Sequence, residues 1–339
     1  MRVLVIGGSV FLGRAIVEEA LRQGHDVTTF NRGRSGEDLP GVTAVRGDRE
    51  VTADLEALAE GGEWDAVIDV CGFTPRVVAD SARVLSGHAA TYAFISSISA
   101  VSGWPAKRVD ESAPRWECSP DAGPDDGDYG VLKAGCERAV EHYFDGNALI
   151  IQPGLILGPW ENIGRLPAWL RRVSRGGRVV APGDPGLPMQ LIDARDIAIF
   201  TLDQAAKGVN DRFMTTGPAG NTTFGRWLAD CAEVTGVSPE LVWIDDRFLL
   251  DHEVEPWTEL PLWMPKAPGE VGAWDVSTAK AEAAGLRCRP VHETVRDTWH
   301  WLKDRDQAEL ERRYRSWPRH GLAPDKEARI LSEWDARGR

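Results

Sequence analysis

The chain has 339 residues, of which 42% are hydrophobic and 27% charged, and its formal net charge is −13. This length can hold one large domain or two with an ample core, and the negative charge disfavours nucleic acid and anionic membranes as partners. The sequence contains no run of about 18 apolar residues, so no membrane span is expected.

The N-terminus has no basic stretch ahead of its apolar run, so we expect no signal peptide and a cytoplasmic protein. The five cysteines are odd in number, widely spaced and never arranged as C-x-x-C, which indicates reduced thiols rather than disulfides or zinc ligands. The seven histidines show no metal-ligand spacing either. We therefore expect no bound metal.

The first thirteen residues predict a nucleotide-binding turn. Arg2 to Ile6 is apolar enough for a strand buried on both faces, and helix-periodic apolar residues follow from Phe11 to Gln23. In the turn between them Gly7 makes the tight bend, Gly13 lets the helix pack on the sheet, and Val10 takes the middle glycine position. This order places a dinucleotide pyrophosphate against backbone N–H groups, although the motif alone fits an ordinary strand–helix turn equally well. The predicted cofactor contacts are Gly7, Ser9, Val10, Phe11, Leu12 and Gly13.

The predicted second strand runs from Asp26 to Asn31, and its last residue with those that follow indicates which dinucleotide binds. NAD-binding chains place an acidic residue here for the ribose 2′-hydroxyl, but this chain has Asn31-Arg32-Gly33-Arg34-Ser35. An uncharged acceptor with two arginines suits a 2′-phosphate, because guanidinium groups pair with phosphate. We therefore predict NADP(H) rather than NAD, with Asn31, Arg32 and Arg34 as contacts. The alternative is a solvated basic loop.

Further strands alternate with helices along the chain. Predicted strands cover Val42 to Arg46, Trp64 to Asp69, Thr91 to Ser97, Ala148 to Pro153 and Asp211 to Thr216; predicted helices cover Asp54 to Ala59, Arg76 to Leu85 and Tyr129 to His142. This alternation predicts an α/β, Rossmann-type doubly wound parallel sheet. Cys71 and Gly72, after the fourth strand, and Pro153, at the end of the sixth, are expected beside the cofactor. The loop from 98 to 128 is long enough to cover a site or to be mobile.

Two domains are predicted. Residues 1–159 with about 189–219 form the dinucleotide-binding domain, and about 160–188 with 220–339 form a smaller C-terminal substrate lobe and tail. Tryptophans in the lobe supply apolar walls for an aromatic or polycyclic substrate, unless each is an ordinary core residue. They are Trp160, Trp169, Trp227, Trp243, Trp257, Trp263 and Trp274. Arg165, Arg171, Arg172 and Arg175 fit either phosphate binding or, as we expect, a solvated helix face.

Tyr129 and Lys133 lie four residues apart in a predicted helix, so both face the same side. Carbonyl chemistry needs a phenol that gives and takes a proton, and a lysine one turn away lowers the phenol pKa and can hold the cofactor ribose. The hydroxyls of Ser96, Ser97 and Ser99, at the end of the fifth strand, are candidates to orient the carbonyl oxygen. A surface tyrosine beside a lysine is the alternative.

These residues make the chain resemble the extended short-chain dehydrogenase/reductase superfamily, the NAD(P)-dependent epimerase/dehydratase group, over roughly residues 1–300. The resemblance is carried by the glycine turn, Phe94-Ile-Ser-Ser97, Tyr129-x-x-x-Lys133, Gln152-Pro-Gly-Leu-Ile-Leu-Gly158-Pro159 and Ile192-Asp-Ala-Arg-Asp196. It implies Ser97, Tyr129 and Lys133 as catalytic residues, with Ser99 as the fallback for Ser97. It also implies that Asp48 reaches the adenine amino group. Many members of the family dimerise through helices such as Arg76–Leu85 and Tyr129–His142, but the sequence leaves the oligomeric state open.

Three departures from the family pattern narrow the expected activity. Val10 matches atypical members whose opening reads G-G-T-x-F-L-G. Ile98-Ser99 stand where sugar 4,6-dehydratases carry Asp-Glu, which argues against water elimination. Leu155 stands where nucleotide-sugar enzymes carry an asparagine that bonds the substrate diphosphate, which argues against a nucleotide sugar. The expected substrate contacts are Ser99, Leu155, Trp160 and Met189.

The favoured function is therefore an NADP(H)-dependent carbonyl reductase or alcohol dehydrogenase acting on a ketone of a small molecule. An epimerase of a sugar or nucleotide sugar is the first alternative. The second is a regulator that binds a dinucleotide without turnover, against which the Tyr129/Lys133 pair and the net charge of −13 both weigh.

Overall fold

The computed structural model describes residues 1–265, 272–315 and 317–337. Its strands are β1 (Arg2–Ile6), β2 (Asp26–Asn31), β3 (Thr43–Arg46), β4 (Trp64–Asp69), β5 (Ala89–Ile95), β6 (Asn147–Pro153), β7 (Leu155–Leu157), β8 (Arg178–Pro182), β9 (Pro188–Met189), β10 (Leu191–Asp193), β11 (Asp211–Thr215), β12 (Thr222–Thr223) and β13 (Glu240–Ile244). Its helices are α1 (Phe11–Arg22), α2 (Thr52–Glu60), α3 (Pro75–Leu85), α4 (Tyr129–Tyr143), α5 (Arg165–Ser174), α6 (Ala194–Ala206), α7 (Phe224–Thr235), α8 (Asp246–Asp251), α9 (Ala279–Ala284), α10 (Val291–Leu302), α11 (Gln307–Arg313) and α12 (Pro324–Arg337). None of these helices is both long enough and apolar enough to cross a membrane.

Seven strands form one parallel sheet in the order β11-β6-β5-β4-β1-β2-β3. The predicted Rossmann-type sheet is confirmed, and each strand expected for it is present. β5 ends at Ile95, two residues before the predicted end, so Ser96 and Ser97 lie just beyond the strand. The strand order reverses at β1: β2 and β3 are added on one side of it, and β4, β5 and β6 on the other. In such sheets ligands bind at the carboxyl ends of the strands where the order reverses.

Side chains alternate between the two faces of each strand and form a core on either side of the sheet. Val3 and Val5 of β1 point towards α1 and α6, whereas Leu4 and Ile6 point towards α2, α3 and α4. All four are buried, which explains the near-continuous apolar run of the first strand. Ala281 and Leu286, in and after α9, also pack into the α1/α6 core, although their segment was predicted for the second lobe.

A third core is formed mainly by segments between β6 and β11 and after β11. There β8 pairs with β13 in parallel, and α5, α7 and α10 pack against one another. Trp169, Trp227 and Trp263 are at most 3% exposed in this core. For these three tryptophans the ordinary-core alternative is the correct one, so they supply no substrate wall.

The long segment from 98 to 128 is fixed to α4 rather than free. Arg115 donates to Glu137 at 3.2 Å and binds both carboxylate oxygens of Glu141 at 2.8 and 2.9 Å. Arg138 donates to the Trp116 carbonyl at 2.6 Å, and the Trp116 indole donates to the Ser99 carbonyl at 3.1 Å. The segment therefore forms part of the wall beside α4.

Candidate active site

The glycine turn after β1 needs its glycines for different reasons. Gly7 and Gly8 have φ of 108° and 92°, a region that side chains rarely adopt. A Cβ on Gly13 would lie 2.9 Å from Val70 Cγ2 and 3.0 Å from the Gly8 nitrogen, so α1 approaches the turn too closely for any side chain. Val10 has an extended φ of −139°, which any residue can adopt, and its side chain makes no capping bond to α1. The first N–H groups of α1 thus remain available for an anion.

A cleft of about 570 Å³ opens at the carboxyl ends of the strands, in front of this turn. Its lining brings together predicted residues from five separate parts of the chain: Gly7, Ser9, Val10, Phe11, Leu12, Gly13, Cys71, Ser97, Ser99, Tyr129, Lys133, Pro153 and Leu155. A second hollow of about 250 Å³ is lined by the predicted adenosine contacts Asn31, Arg32, Arg34 and Asp48. The cleft and the hollow have five lining residues in common, Gly7, Ser9, Ser35, Cys71 and Phe73. The two together form a groove that suits a dinucleotide, with its pyrophosphate at the glycine turn.

The adenosine end of the groove is a network of charged and amide side chains. Asn31 donates to the Gly7 carbonyl at 3.2 Å, and its side-chain oxygen accepts from the Gly33 N–H at 2.8 Å. Arg32 lies 3.5 Å from Asp48, and Arg34 is exposed. Asp38, which the sequence did not single out, accepts from Asn31 at 3.2 Å. Asn31 is therefore held in place, while the guanidinium of Arg34 is open to a ligand.

A buried ion pair supports the loop between the two hollows. Arg49 binds both carboxylate oxygens of Asp69 at 2.6 and 2.7 Å, and Tyr92 donates to the same carboxylate at 2.9 Å. The Asp69 carboxylate also accepts from the Cys71 N–H at 3.1 Å. This network fixes the first residues after β4, and with them Cys71 and Gly72.

Lys133 is buried, and its ammonium group donates hydrogen bonds to the backbone beside the cleft. Its ammonium donates to the carbonyls of Gly72 at 2.9 Å and Ile95 at 2.6 Å. Burial lowers the pKa of Lys133 from its ordinary value, with the charges of Cys136, Asp69 and Glu137 acting in the opposite direction. Lys133 therefore ties the loop after β4 to the end of β5, and both segments contribute lining residues to the cleft.

Tyr129 stands at the first position of α4, where Asp128 caps the helix by accepting from the Val131 N–H at 3.1 Å. The next residue, Gly130, has no room for a side chain, because a Cβ there would lie 2.3 Å from the Ser99 carbonyl oxygen. This close approach brings α4 against the turn that carries Ser97 and Ser99. Ser97 accepts from the Ser99 N–H at 3.1 Å, which orients its hydroxyl.

Tyr129 as a whole residue is 51% exposed, and it lines the cleft. The surrounding walls nevertheless desolvate it, and this burial raises its pKa above the ordinary value; a hydrogen bond with Ser97 and the charge of Arg165 act to lower it. We expected Lys133 to lower this pKa. The cation that does so in the structure is Arg165, because the Lys133 ammonium is directed at two backbone carbonyls.

Two predicted substrate contacts lie elsewhere. Met189 is fully buried in the third core. The Trp160 ring packs at 5.5 Å from Trp301 and beneath the guanidinium of Arg14 at 4.0 Å, so it joins α1 to α10. Both were placed in the site by their position in the chain, which does not reveal the direction of a side chain.

Several residues that line the cleft were not predicted as site residues from the sequence. Trp104 stands in the 98–128 segment, and its indole donates to the Ala273 carbonyl at 3.2 Å. Phe73 also lines the cleft, and so does Trp257, which was predicted as one of the tryptophans that form substrate walls. Arg165 lines it as well and is 7% exposed, so the expected solvated helix face is wrong for this arginine. No local pattern marks these residues, since the loops that carry them meet only in the folded chain.

One acidic cluster lies outside the cleft lining. Asp230 and Glu233 of α7 and His292 of α10 have ligand atoms within 4.8 Å of one another. The guanidinium of Arg226 already pairs with Asp230 at 2.7 Å. The sequence showed no metal-ligand spacing because the histidine is on another helix. That the chain binds no metal stays a prediction.

The sheet, glycine turn and Ser/Tyr/Lys cluster define a Rossmann-type, nicotinamide-dinucleotide-dependent enzyme. The family model described as NAD dependent epimerase/dehydratase family matches residues 3–212. The chain belongs to this family, so it is an enzyme of that oxidoreductase and epimerase group.

Among curated proteins, the 2′-dehydrokanamycin reductase of Streptomyces kanamyceticus is 29% identical over 221 residues, which are 62% of this chain. The match spans 60% of the length of that relative. The UDP-glucose 4-epimerase of Thermotoga maritima, solved with UDP-glucose, superposes with a TM-score of 0.69 at 18% identity, covering 89% of this chain and 99% of its own. The UDP-glucose 4-epimerase of Thermus thermophilus, solved with NAD, has a TM-score of 0.67 at 19% identity, covering 90% and 100%. These two structures show the shared fold.

Replacing Gly13 with alanine is expected to weaken dinucleotide binding by about tenfold or more, because overpacking the turn costs about 1–3 kcal/mol. The Cβ would push α1 away from the Gly8 backbone, where we predict that the phosphates bind. Fluorescence titration with NADPH and NADH measures the effect. Gly123→Ala is the control, since its nearest neighbour would lie at 3.4 Å. Equal affinities of wild type and Gly13→Ala would contradict the assigned binding turn.

Proposed function

We propose that the protein is an NADP(H)-dependent carbonyl reductase, or alcohol dehydrogenase, acting on the ketone of an aromatic or polycyclic small molecule. The observation that supports it most is the position of Tyr129, which lines the cleft together with Ser97 and is open to it. Burial raises the pKa of this phenol, so it carries its proton at neutral pH. A protonated phenol is the acid that reduction of a ketone needs.

In this proposal each residue of the cluster has one task. When bound, a nicotinamide dinucleotide supplies the hydride. The Ser97 hydroxyl donates to the substrate carbonyl oxygen, and Tyr129 gives its proton to the same oxygen as negative charge develops there. Lys133 holds the groove in shape through Gly72 and Ile95, and its remaining N–H is free to bond the cofactor ribose.

The substrate side of the cleft is mostly apolar. Leu155, Trp104, Trp257 and Phe73 line it. Leu155 is 6% exposed and offers no hydrogen bond to a diphosphate. Flat rings and aliphatic side chains suit a planar apolar substrate, which supports a reductase of aromatic ketones over an enzyme of nucleotide sugars.

The first experiment asks whether the purified protein carries a dinucleotide and which one it binds. A reductase exchanges its cofactor in each cycle, so the proposal expects an empty site that binds NADPH, and NADPH-dependent reduction of aromatic ketones. An epimerase oxidises and re-reduces the same carbon, so tightly held NAD(H) in the purified protein would favour that alternative. Dinucleotide binding without turnover of either substrate class would favour the regulator.

Changing both Arg32 and Arg34 to serine is expected to weaken NADPH binding by about 10- to 100-fold, the scale of hydrogen bonds to a charged group. NADH, which has no 2′-phosphate, should bind with nearly unchanged affinity. Fluorescence titration with both dinucleotides measures the difference, and Arg22→Ser, whose guanidinium binds Glu19 on α1, is the control. An equal loss for both dinucleotides would overturn the NADP assignment.

The proposal includes the two-domain division, a cytoplasmic location and a homodimer. The family resemblance implies helices such as α3 and α4 as its interface. In the structure Asp121 joins Arg83 of α3 at 2.6 Å and Tyr143 of α4 at 2.6 Å, so the 98–128 segment crosses both helices. A dimer formed there would contain this segment in its interface. The molar mass from light scattering measures whether the dimer exists.

A further inference from the structure

We infer that Arg165 selects the substrate by charge: the cleft accepts a ketone that carries a carboxylate and discriminates against one that carries an amine. The inference rests on the proposed reductase function and adds the class of substrate. A guanidinium is planar and binds both oxygens of a carboxylate, which makes arginine well suited to this recognition.

Arg165 is held in a defined position at the start of α5. Its backbone N–H and Nε donate to Glu161 Oε1 at 2.9 and 3.3 Å, and its Nη2 donates to the Ile156 carbonyl at 3.2 Å. Nη1 takes part in none of these three bonds. The side chain is 8% exposed, and that of Glu161 is fully buried. Because the arginine is already fixed, little side-chain entropy is lost when a ligand binds to it.

The charged residues lining the cleft have one sign. Lys133 and Arg165 are its charged lining residues, and among the described residues no carboxylate lines it. Lys133 is directed at two backbone carbonyls. A cationic substrate would therefore meet a guanidinium and find no acidic partner, whereas an anionic one would find Arg165.

The charge of Arg165 also affects Tyr129, the residue proposed to donate the proton. It lowers the pKa of Tyr129 against the effect of burial. The Trp257 ring, which also lines the cleft, lies 5.8 Å from the guanidinium. An aromatic ketone bound along Trp257 would thus present its polar substituent to Arg165 and its carbonyl to Tyr129.

The test uses three acetophenones that differ only in the para substituent: a carboxylate, its methyl ester and an aminomethyl group. Binding to the NADPH-loaded enzyme is followed by cofactor fluorescence, and reduction by loss of NADPH absorbance. We expect the carboxylate to bind about 10- to 100-fold more tightly than the ester, and the amine more weakly than the ester.

Arg165→Met should remove the preference for the carboxylate. The double variant Glu161→Gln/Arg165→Met should do the same without leaving a buried unpaired carboxylate, which guards against misfolding. Arg171→Met is the matched control, because Arg171 is on the same helix but beside Trp317, outside the cleft lining. In both Arg165 variants the limb of the pH profile that reports Tyr129 should also move to higher pH, a change that loss of packing alone would not produce.

Equal binding of the three probes, no binding of the carboxylate, or a preference that survives in both Arg165 variants would overturn the role of Arg165. Reduction of the neutral ester with NADPH and without charge preference would leave the reductase function standing. Failure of wild-type enzyme to reduce any of the three probes, with the carboxylate still bound through Arg165, would count against the reductase alone.

Discussion

Tyr129→Phe is expected to lower the kcat for ketone reduction by about 10²- to 10⁴-fold, the usual contribution of a positioned acid. The variant keeps the ring in the cleft and removes the one proton that the phenol can give to the carbonyl oxygen. Burial raises the pKa of Tyr129, so the wild-type rate should also fall at alkaline pH, where the phenol loses its proton. The loss of NADPH absorbance under substrate saturation measures both effects.

The matched control for this variant is Tyr143→Phe. Tyr143 ends the same helix, far from the cleft lining, and its hydroxyl donates to Asp121 at 2.6 Å. Its loss should leave kcat within about twofold of the wild type, because exposed surface bonds contribute little. NADPH affinity should be unchanged in both variants. A Tyr129→Phe enzyme with wild-type kcat would show that another group supplies the proton.

Asp69→Ala is expected to lower the free energy of unfolding by about 3–5 kcal/mol, the cost of leaving a buried charge without its partner. Asp69 is fully buried and neutralises Arg49, whose side chain is 10% exposed. Tyr92 and the Cys71 N–H would lose their acceptor at the same time. Denaturation in urea followed by circular dichroism measures the change.

Asp65→Ala on the same strand is the control for this variant. Asp65 is exposed and accepts from the Arg2 N–H, so we expect a change below about 1 kcal/mol. A double variant that replaces both Asp69 and Arg49 with apolar residues should be less damaging than Asp69→Ala, because it buries no unpaired charge. Equal stability of Asp69→Ala and Asp65→Ala would contradict the structural role of the pair.

The same pair predicts how stability depends on pH. Burial by itself would raise the pKa of Asp69, but Arg49 and the other donors outweigh it, and the pKa lies below its ordinary value. The carboxylate therefore contributes stability above the unfolded-state pKa, and this contribution is lost as the pH falls through the folded-state pKa. Asp69→Ala should lose less stability on acidification than the wild type.

Much of the fold could be predicted because local patterns determine it. The apolar run before Gly7, the glycine spacing and the alternation of strands and helices are each set by residues close together in the chain. The same holds for Tyr129 and Lys133, since one helix turn separates them and Asp128 marks the start of that helix. Such features follow from backbone geometry and short-range burial.

The substrate side of the cleft could not be predicted in this way. Trp160 and Met189 were predicted as substrate contacts from their position in the chain. The Trp160 ring packs against the guanidinium groups of Arg14 and Arg305, and Met189 is buried in the third core. The spacing of Arg165 predicts an exposed helix residue. The side chain is buried instead, and the ion pair with the buried Glu161 explains this. These outcomes depend on contacts between segments distant in sequence, which periodicity does not encode.

The attachment of Trp104 to the Ala273 carbonyl has a consequence for how this enzyme can diversify. The loops that carry Trp104 and Trp257 into the cleft lining contain no part of the glycine turn and no part of α4. Substitutions at Trp104 or Trp257 can therefore accumulate without disturbing the glycine turn or the Tyr129/Lys133 pair. Descendants of one ancestral catalyst could acquire new substrates through these loops while the chemistry they perform stays the same.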